Sequence, residues 1–175
     1  MNKFRGYICV GLMGVAAQLL GAGIATAGGA EGIAAYQRGD YELAAQELQG
    51  PAQQGDADAQ YHLARLYRTG KGVNADAAAA SSWFQRAAEQ GHAGSQFSLG
   101  LRYAQGHGVS QDYVQAYLWF DRAAAQGHAS AATLRDRLPT YMSPTELQAA
   151  RAQQEPARRG DNLTQRTGAT QGAKL

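Results

Sequence analysis

The chain has 175 residues, 17% of them charged, with 16 basic against 14 acidic side chains and a formal net charge of +2. That balance offers no electrostatic case for a nucleic-acid partner, and the single cysteine, Cys9, excludes a disulfide framework. What remains is a chain that must be held together by packing alone.

In chain order, residues 1–27 have the make-up of a cleaved signal peptide. Lys3 and Arg5 supply a positive opening, Tyr7 to Leu20 is apolar apart from Gln18, and Ala25-Thr26-Ala27 is a small-x-small cleavage site. The mature chain is expected to begin at Gly28 and to be periplasmic or secreted from a bacterium. No integral membrane segment is expected after cleavage. Cys9 sits near the start of the apolar run rather than at its end, which argues against a lipid anchor. Losing Lys3 and Arg5 takes the basic count from 16 to 14, equal to the acidic count.

Residues 28–55 predict a helical hairpin that caps the N-terminal end of a helical stack. Tyr36 precedes Asp40 much more closely than Tyr67 precedes Asp76, so the turn here is tighter than in the later units. Pro51 lacks an amide hydrogen and clashes with the turn before it, which predicts a kink or break after Leu48 to Gly50.

Residues 56–91 and 92–127 are two copies of one pattern, at an offset of 36 (91 minus 55). Leu63 meets Leu99, Tyr67 meets Tyr103, Gly70 and Gly72 meet Gly106 and Gly108, and Trp83-Phe84 meets Trp119-Phe120. A repeat of this size marks a solenoid, in which each unit buries its apolar face only by stacking on its neighbours. Within a unit, Ala59, Leu63, Leu66 and Tyr67 share one helical face, and Gly70 stands at a left-handed stop. Asp76 then caps a second helix carrying Ala80, Trp83, Phe84, Ala87 and Ala88 inward. Ala64 and Gly100 are small enough to let helices approach closely.

Residues 128–152 predict closing helices. Ala129 to Leu138 begins as a third copy and stops at Pro139, and Ser143-Pro144-Thr145-Glu146 is a capping box with proline at the first helical position. Residues 153–175, rich in Gly, Thr, Gln and Arg without periodicity, predict a disordered tail.

The stretch Ala59-Gln60-Tyr61-x-Leu63-Ala64-x-x-Tyr67, with Gly70-x-Gly72-Val73-x-x-Asp76 and Ala80-x-x-Trp83-Phe84-x-x-Ala87-Ala88-x-Gln90-Gly91, resembles the Sel-one-like repeat, a relative of the tetratricopeptide repeat. The likeness extends over about Tyr36 to Ala150. It implies an all-α fold, a short right-handed α/α superhelical solenoid of helix-loop-helix repeats, and a non-catalytic adaptor that binds another protein of the cell envelope. One branch of the family is rich in disulfides and is associated with β-lactam binding or hydrolysis. The lack of any cysteine after Cys9 departs from that branch, leaving a hydrolase as the weakest of three readings.

The face of the first helix turned away from Leu63 and Leu66 carries Asp58, Tyr61, His62, Arg65 and Arg68, and the next unit adds Phe97 and Leu101. First helices of stacked hairpins line the concave surface, so these residues form the candidate partner-binding face, with aromatic and arginine anchors of the kind interfaces favour. Packing of Tyr61 and Phe97 against a neighbouring unit is the competing expectation. Binding of a cell-wall or envelope glycan through the same residues is the runner-up function. The four histidines include no i, i+4 pair and have no cysteine to complete a zinc set, so no metal, cofactor or catalytic residue is expected.

Overall fold

A computed structural model describes residues 21–154, with side chains from residue 29 onward. Among these residues the chain is entirely helical. Helix α1 spans Gly21–Arg38 and α2 spans Tyr41–Gln53, followed by α3 (Ala57–Thr69), α4 (Ala77–Glu89), α5 (Ala93–Gln105), α6 (Tyr113–Ala125) and α7 (Ala129–Arg137). A 3-10 turn, Leu138–Thr140, leads to α8 over 144–154. Each of α1 to α6 packs on the next helix in sequence, and α1 also reaches past α2 to α3. The expected leader falls largely outside the described residues, and α1 runs through the expected junction after Ala27. Of the expected tail, positions 153 and 154 are helical and the rest lies outside the described residues.

Three apolar clusters follow one another along the stack. Leu48, Leu63 and Leu66 centre the first, Phe84 and Leu99 the second, and Phe120 and Leu138 the third. Phe84 and Phe120 are buried. Trp119 is 7% exposed and belongs to the second cluster, so it reaches back from its own unit to the preceding one. Trp83, expected to be inward, is only half-buried. It borders the first and second clusters, and Arg86 lies 4.6 Å from its ring centroid, as Arg122 lies 4.4 Å from that of Trp119.

Glycine sets how closely the units approach. Gly72 and Gly108 have φ of 70° and 77°, a left-handed conformation. A Cβ on Gly72 would collide with the backbone of Tyr41, and one on Gly108 with that of Ala77. Those two residues open α2 and α4, so the second glycine of each Gly-x-Gly turn seats the unit against the start of the preceding unit's second helix. Gly100 gives a second close approach, since a Cβ there would meet Phe120 at 2.6 Å.

The break expected at Pro51 does not occur, because α2 continues through it to Gln53. Proline so near the C-terminus interrupts only the end of the ladder. The buried Pro51 ring packs beneath Gly29, and the Pro51 carbonyl accepts from the amides of Gln54 and Asp56.

Candidate functional site

Helix α3 is set by its caps. Asp56 accepts the Ala59 amide through Oδ1 at 2.9 Å, and Gly70 closes the last turn with φ of 67°. Between them Leu63 and Leu66 are buried, which turns the opposite side of the helix outward. Asp58 and Arg68 are exposed there, and Tyr61, His62 and Arg65 are half-buried.

The structure gathers four of these five and adds two residues absent from the sequence-derived set. The Arg65 guanidinium lies 4.8 Å from the ring centroid of Tyr36, on α1, and 5.5 Å from that of Tyr61. His62 fits edge-on between the same two rings, at 4.8 Å from Tyr36 and 5.3 Å from Tyr61. Beyond Tyr61 stands His92, at 4.5 Å, whose Nε2 is 3.2 Å from Asp58. Among the described residues Arg65 has no carboxylate partner, so its charge rests on the faces of two tyrosines.

Arg68, one turn on, stays outside this group. Phe97 and Leu101 also lie elsewhere. Phe97 stacks on His128 at 4.4 Å and meets Phe120 at 5.8 Å, and both Phe97 and Leu101 pack against the third cluster. Tyr61 and Phe97 are therefore packing residues as much as surface ones, each laid on the histidine that opens the following unit.

Those histidines cap helices. The Nδ1 of His92 accepts the Ser95 amide at 3.0 Å, and that of His128 accepts the Ala131 amide at 3.3 Å. Only a neutral imidazole leaves Nδ1 free to accept, and the same tautomer places the hydrogen of His92 on Nε2, toward Asp58. Burial holds the His92 pKa below the ordinary histidine value against the opposing charge of Asp58. Burial, aided by Arg65, does the same to His62, whose Nδ1 is buried without a partner. The capping role was within reach of the sequence, because Asp56, His92 and His128 are spaced by the repeat (92 minus 56, and 128 minus 92, are both 36).

This surface can hold a ligand by cation, ring and hydrogen bond, and it offers no converging nucleophile and base. Among the described residues no three His, Cys, Asp or Glu side chains come together as a metal-binding group, and no helix is long and apolar enough to cross a membrane.

Hairpins of paired helices sharing a continuous apolar spine define an all-α repeat solenoid. More narrowly, residues 57–92 and 93–128 each match the Sel1 repeat, so this part of the chain consists of two Sel1 repeats. Two solved structures are similar. One is that of c5321, a protective antigen present in uropathogenic Escherichia coli strains displaying an SLR fold, with 32% identity and a TM-score of 0.70 over 75% of this chain and 29% of that one. The other is a Sel1 repeat protein from Oxalobacter formigenes, with 41% identity and a TM-score of 0.57 over 59% of this chain and 41% of that one. The chain thus spans less than half the length of either. No curated protein matches it significantly. Sel1 repeats generally mediate protein–protein interaction and are generally non-catalytic.

Proposed function

We propose that the protein is a non-catalytic adaptor of the bacterial cell envelope that takes a partner protein on the concave face lined by α3 and α5. The observation that carries this reading is Arg65, held over Tyr36 and Tyr61 at 4.8 and 5.5 Å with no carboxylate partner among the described residues. Arginine and tyrosine are the side chains on which interfaces most often concentrate their energy, and a cation already placed on a rigid aromatic base loses little freedom on binding. The envelope assignment is supported by Lys3 and Arg5, the apolar stretch after them and the Ala25-Thr26-Ala27 site.

Reversing the charge of Arg65 and Arg68 together (R65E, R68E) tests the reading. The double variant is expected to lose capture of the partner that wild type retains while keeping its helical circular dichroism. Equal capture by both proteins would refute it.

A further inference from the structure

One row of the repeat contains a residue of the wrong kind for its place. Leu66, Arg102 and Leu138 stand one repeat apart (102 minus 66, and 138 minus 102, are both 36), and all three are buried, at 0%, 6% and 6% exposure. The row is apolar core at its two ends and cationic in the middle. The guanidinium of Arg102 lies 5.7 Å from the Phe84 ring centroid, and Nη1 donates to the carbonyl of His107 at 3.1 Å. That carbonyl also accepts the Ser81 hydroxyl at 3.0 Å, so it does not depend on the arginine.

Nothing of opposite charge answers Arg102 among the described residues. Among the described residues it makes no ion pair, and the one charge that acts on it is that of Arg68, of the same sign. Burial first, and Arg68 second, hold its pKa below the ordinary arginine value. A buried cation is expensive unless paired, and a leucine occupies the same position in both neighbouring units without that cost. None of its nitrogens is both fully buried and unsatisfied, so the donors it does not spend on His107 keep a narrow exposure within a residue that is otherwise buried. A planar fork with free donors beside a second, exposed arginine suits a carboxylate. Open backbone amides, which would favour a phosphate over a carboxylate, are not offered at the nearby start of α4, where the amides of Ala78 and Ala79 are taken by Asp76.

We infer that Arg102 and Arg68 form a carboxylate-recognition site, occupied by an acidic side chain of the partner protein. The inference rests on the reading that a protein docks on the face of α3, from which Arg68 projects.

The test is titration of the purified chain with a hexaglutamate peptide, a hexaglutamine peptide and inorganic phosphate, at constant ionic strength. Wild type is expected to bind hexaglutamate and not hexaglutamine. Arg68→Gln, at an exposed position, is expected to weaken binding about tenfold, and Arg102→Leu to remove it while raising or leaving unchanged the thermal midpoint. Equal binding of hexaglutamate by Arg102→Leu, or binding of phosphate in preference to hexaglutamate, would overturn the assignment. A fall in midpoint with Arg102→Leu, together with unchanged binding by Arg68→Gln, would show Arg102 to be structural and overturn it as well. Partner capture at Arg65 that persists undiminished in Arg102→Leu would leave the adaptor reading standing and remove only this one.

Discussion

The side-chain amide of Gln90 donates to Oε1 of the buried Gln60 at 2.8 Å, and one repeat later Gln126 does the same to Gln96 at 2.7 Å. Each acceptor in turn donates to the end of the preceding unit's second helix, Gln60 to the Ala52 carbonyl at 2.9 Å and Gln96 to that of Ala88 at 3.2 Å. The relay ties three helices at each of these two joints and adds directional bonds to the register set by the apolar contacts.

Replacing Gln96 by Ala removes two hydrogen bonds at a buried position, the one to the Ala88 carbonyl and the one from the Gln126 amide, and is expected to cost about 1 to 3 kcal/mol in urea unfolding. Gln126→Ala, which removes the exposed end of the same relay, should cost roughly 0.5 to 1.5 kcal/mol. The reverse order would show that the relay does not carry the joint.

Gly108→Ala combines a left-handed φ of 77° with a collision against the start of α4, and the expected loss is roughly 2 to 5 kcal/mol. Gly39 has a φ of 88° but open space around it, so Gly39→Ala should lose only about 1 to 2 kcal/mol. Thermal midpoints of the two variants separate close approach from backbone strain.

The two tryptophans are unequal despite equivalent positions. Trp119→Ala empties a buried site and should cost about 3 to 5 kcal/mol, and Trp83→Ala, at a half-buried one, roughly 1 to 3 kcal/mol. In keeping with this, collisional quenching of fluorescence should reach Trp83 more readily, as single-tryptophan variants would report.

Acid should loosen the fold through His92. Its folded pKa is lowered, so the unfolded imidazole takes up protons first. The contribution of His92 is complete above the ordinary histidine value of about 6.5 and is lost as pH falls from there through the folded pKa. Protonation also removes the Nδ1 acceptor for Ser95 and places a cation at a helix N-terminus, while Asp58 at Nε2 opposes and Tyr61 covers the ring. His62, between Tyr36 and Arg65, has the same sign. Urea unfolding at pH 7.5 and 5.5 should show lower stability at the acid value, and His92→Asn, which keeps a neutral cap, should shrink the difference. An undiminished difference in His92→Asn would rule out that assignment.

Most of the architecture was legible because period, cap and stop coincide. Gly70, Asp76 and the Trp-Phe pair recur together, and α3 to α6 begin and end beside them. The capping box at Ser143 also forms as its residue types imply, with Ser143 donating its amide to Glu146 at 2.7 Å and Glu146 returning its own to Oγ at 3.3 Å. The candidate site was half legible. Helical spacing put Tyr61, His62 and Arg65 on one face, but Tyr36 joins them only because α1 packs past α2 onto α3, a neighbourhood no local periodicity encodes. The histidine caps were legible only through the repeat spacing, because the row Asp56, His92, His128 preserves a hydrogen-bond acceptor and not a residue type. Pro51 misled because its rule belongs to helix interiors, and it stands in a last turn.

The central claim is that the surface around Arg65 is where a partner binds. It is tested most directly by placing a photoreactive residue at position 65 in living cells, with a control at Glu89, exposed on α4, and identifying what each traps by mass spectrometry. The account predicts a single protein adduct from position 65 that position 89 does not give. No adduct at 65, or the same adducts from both positions, would contradict it.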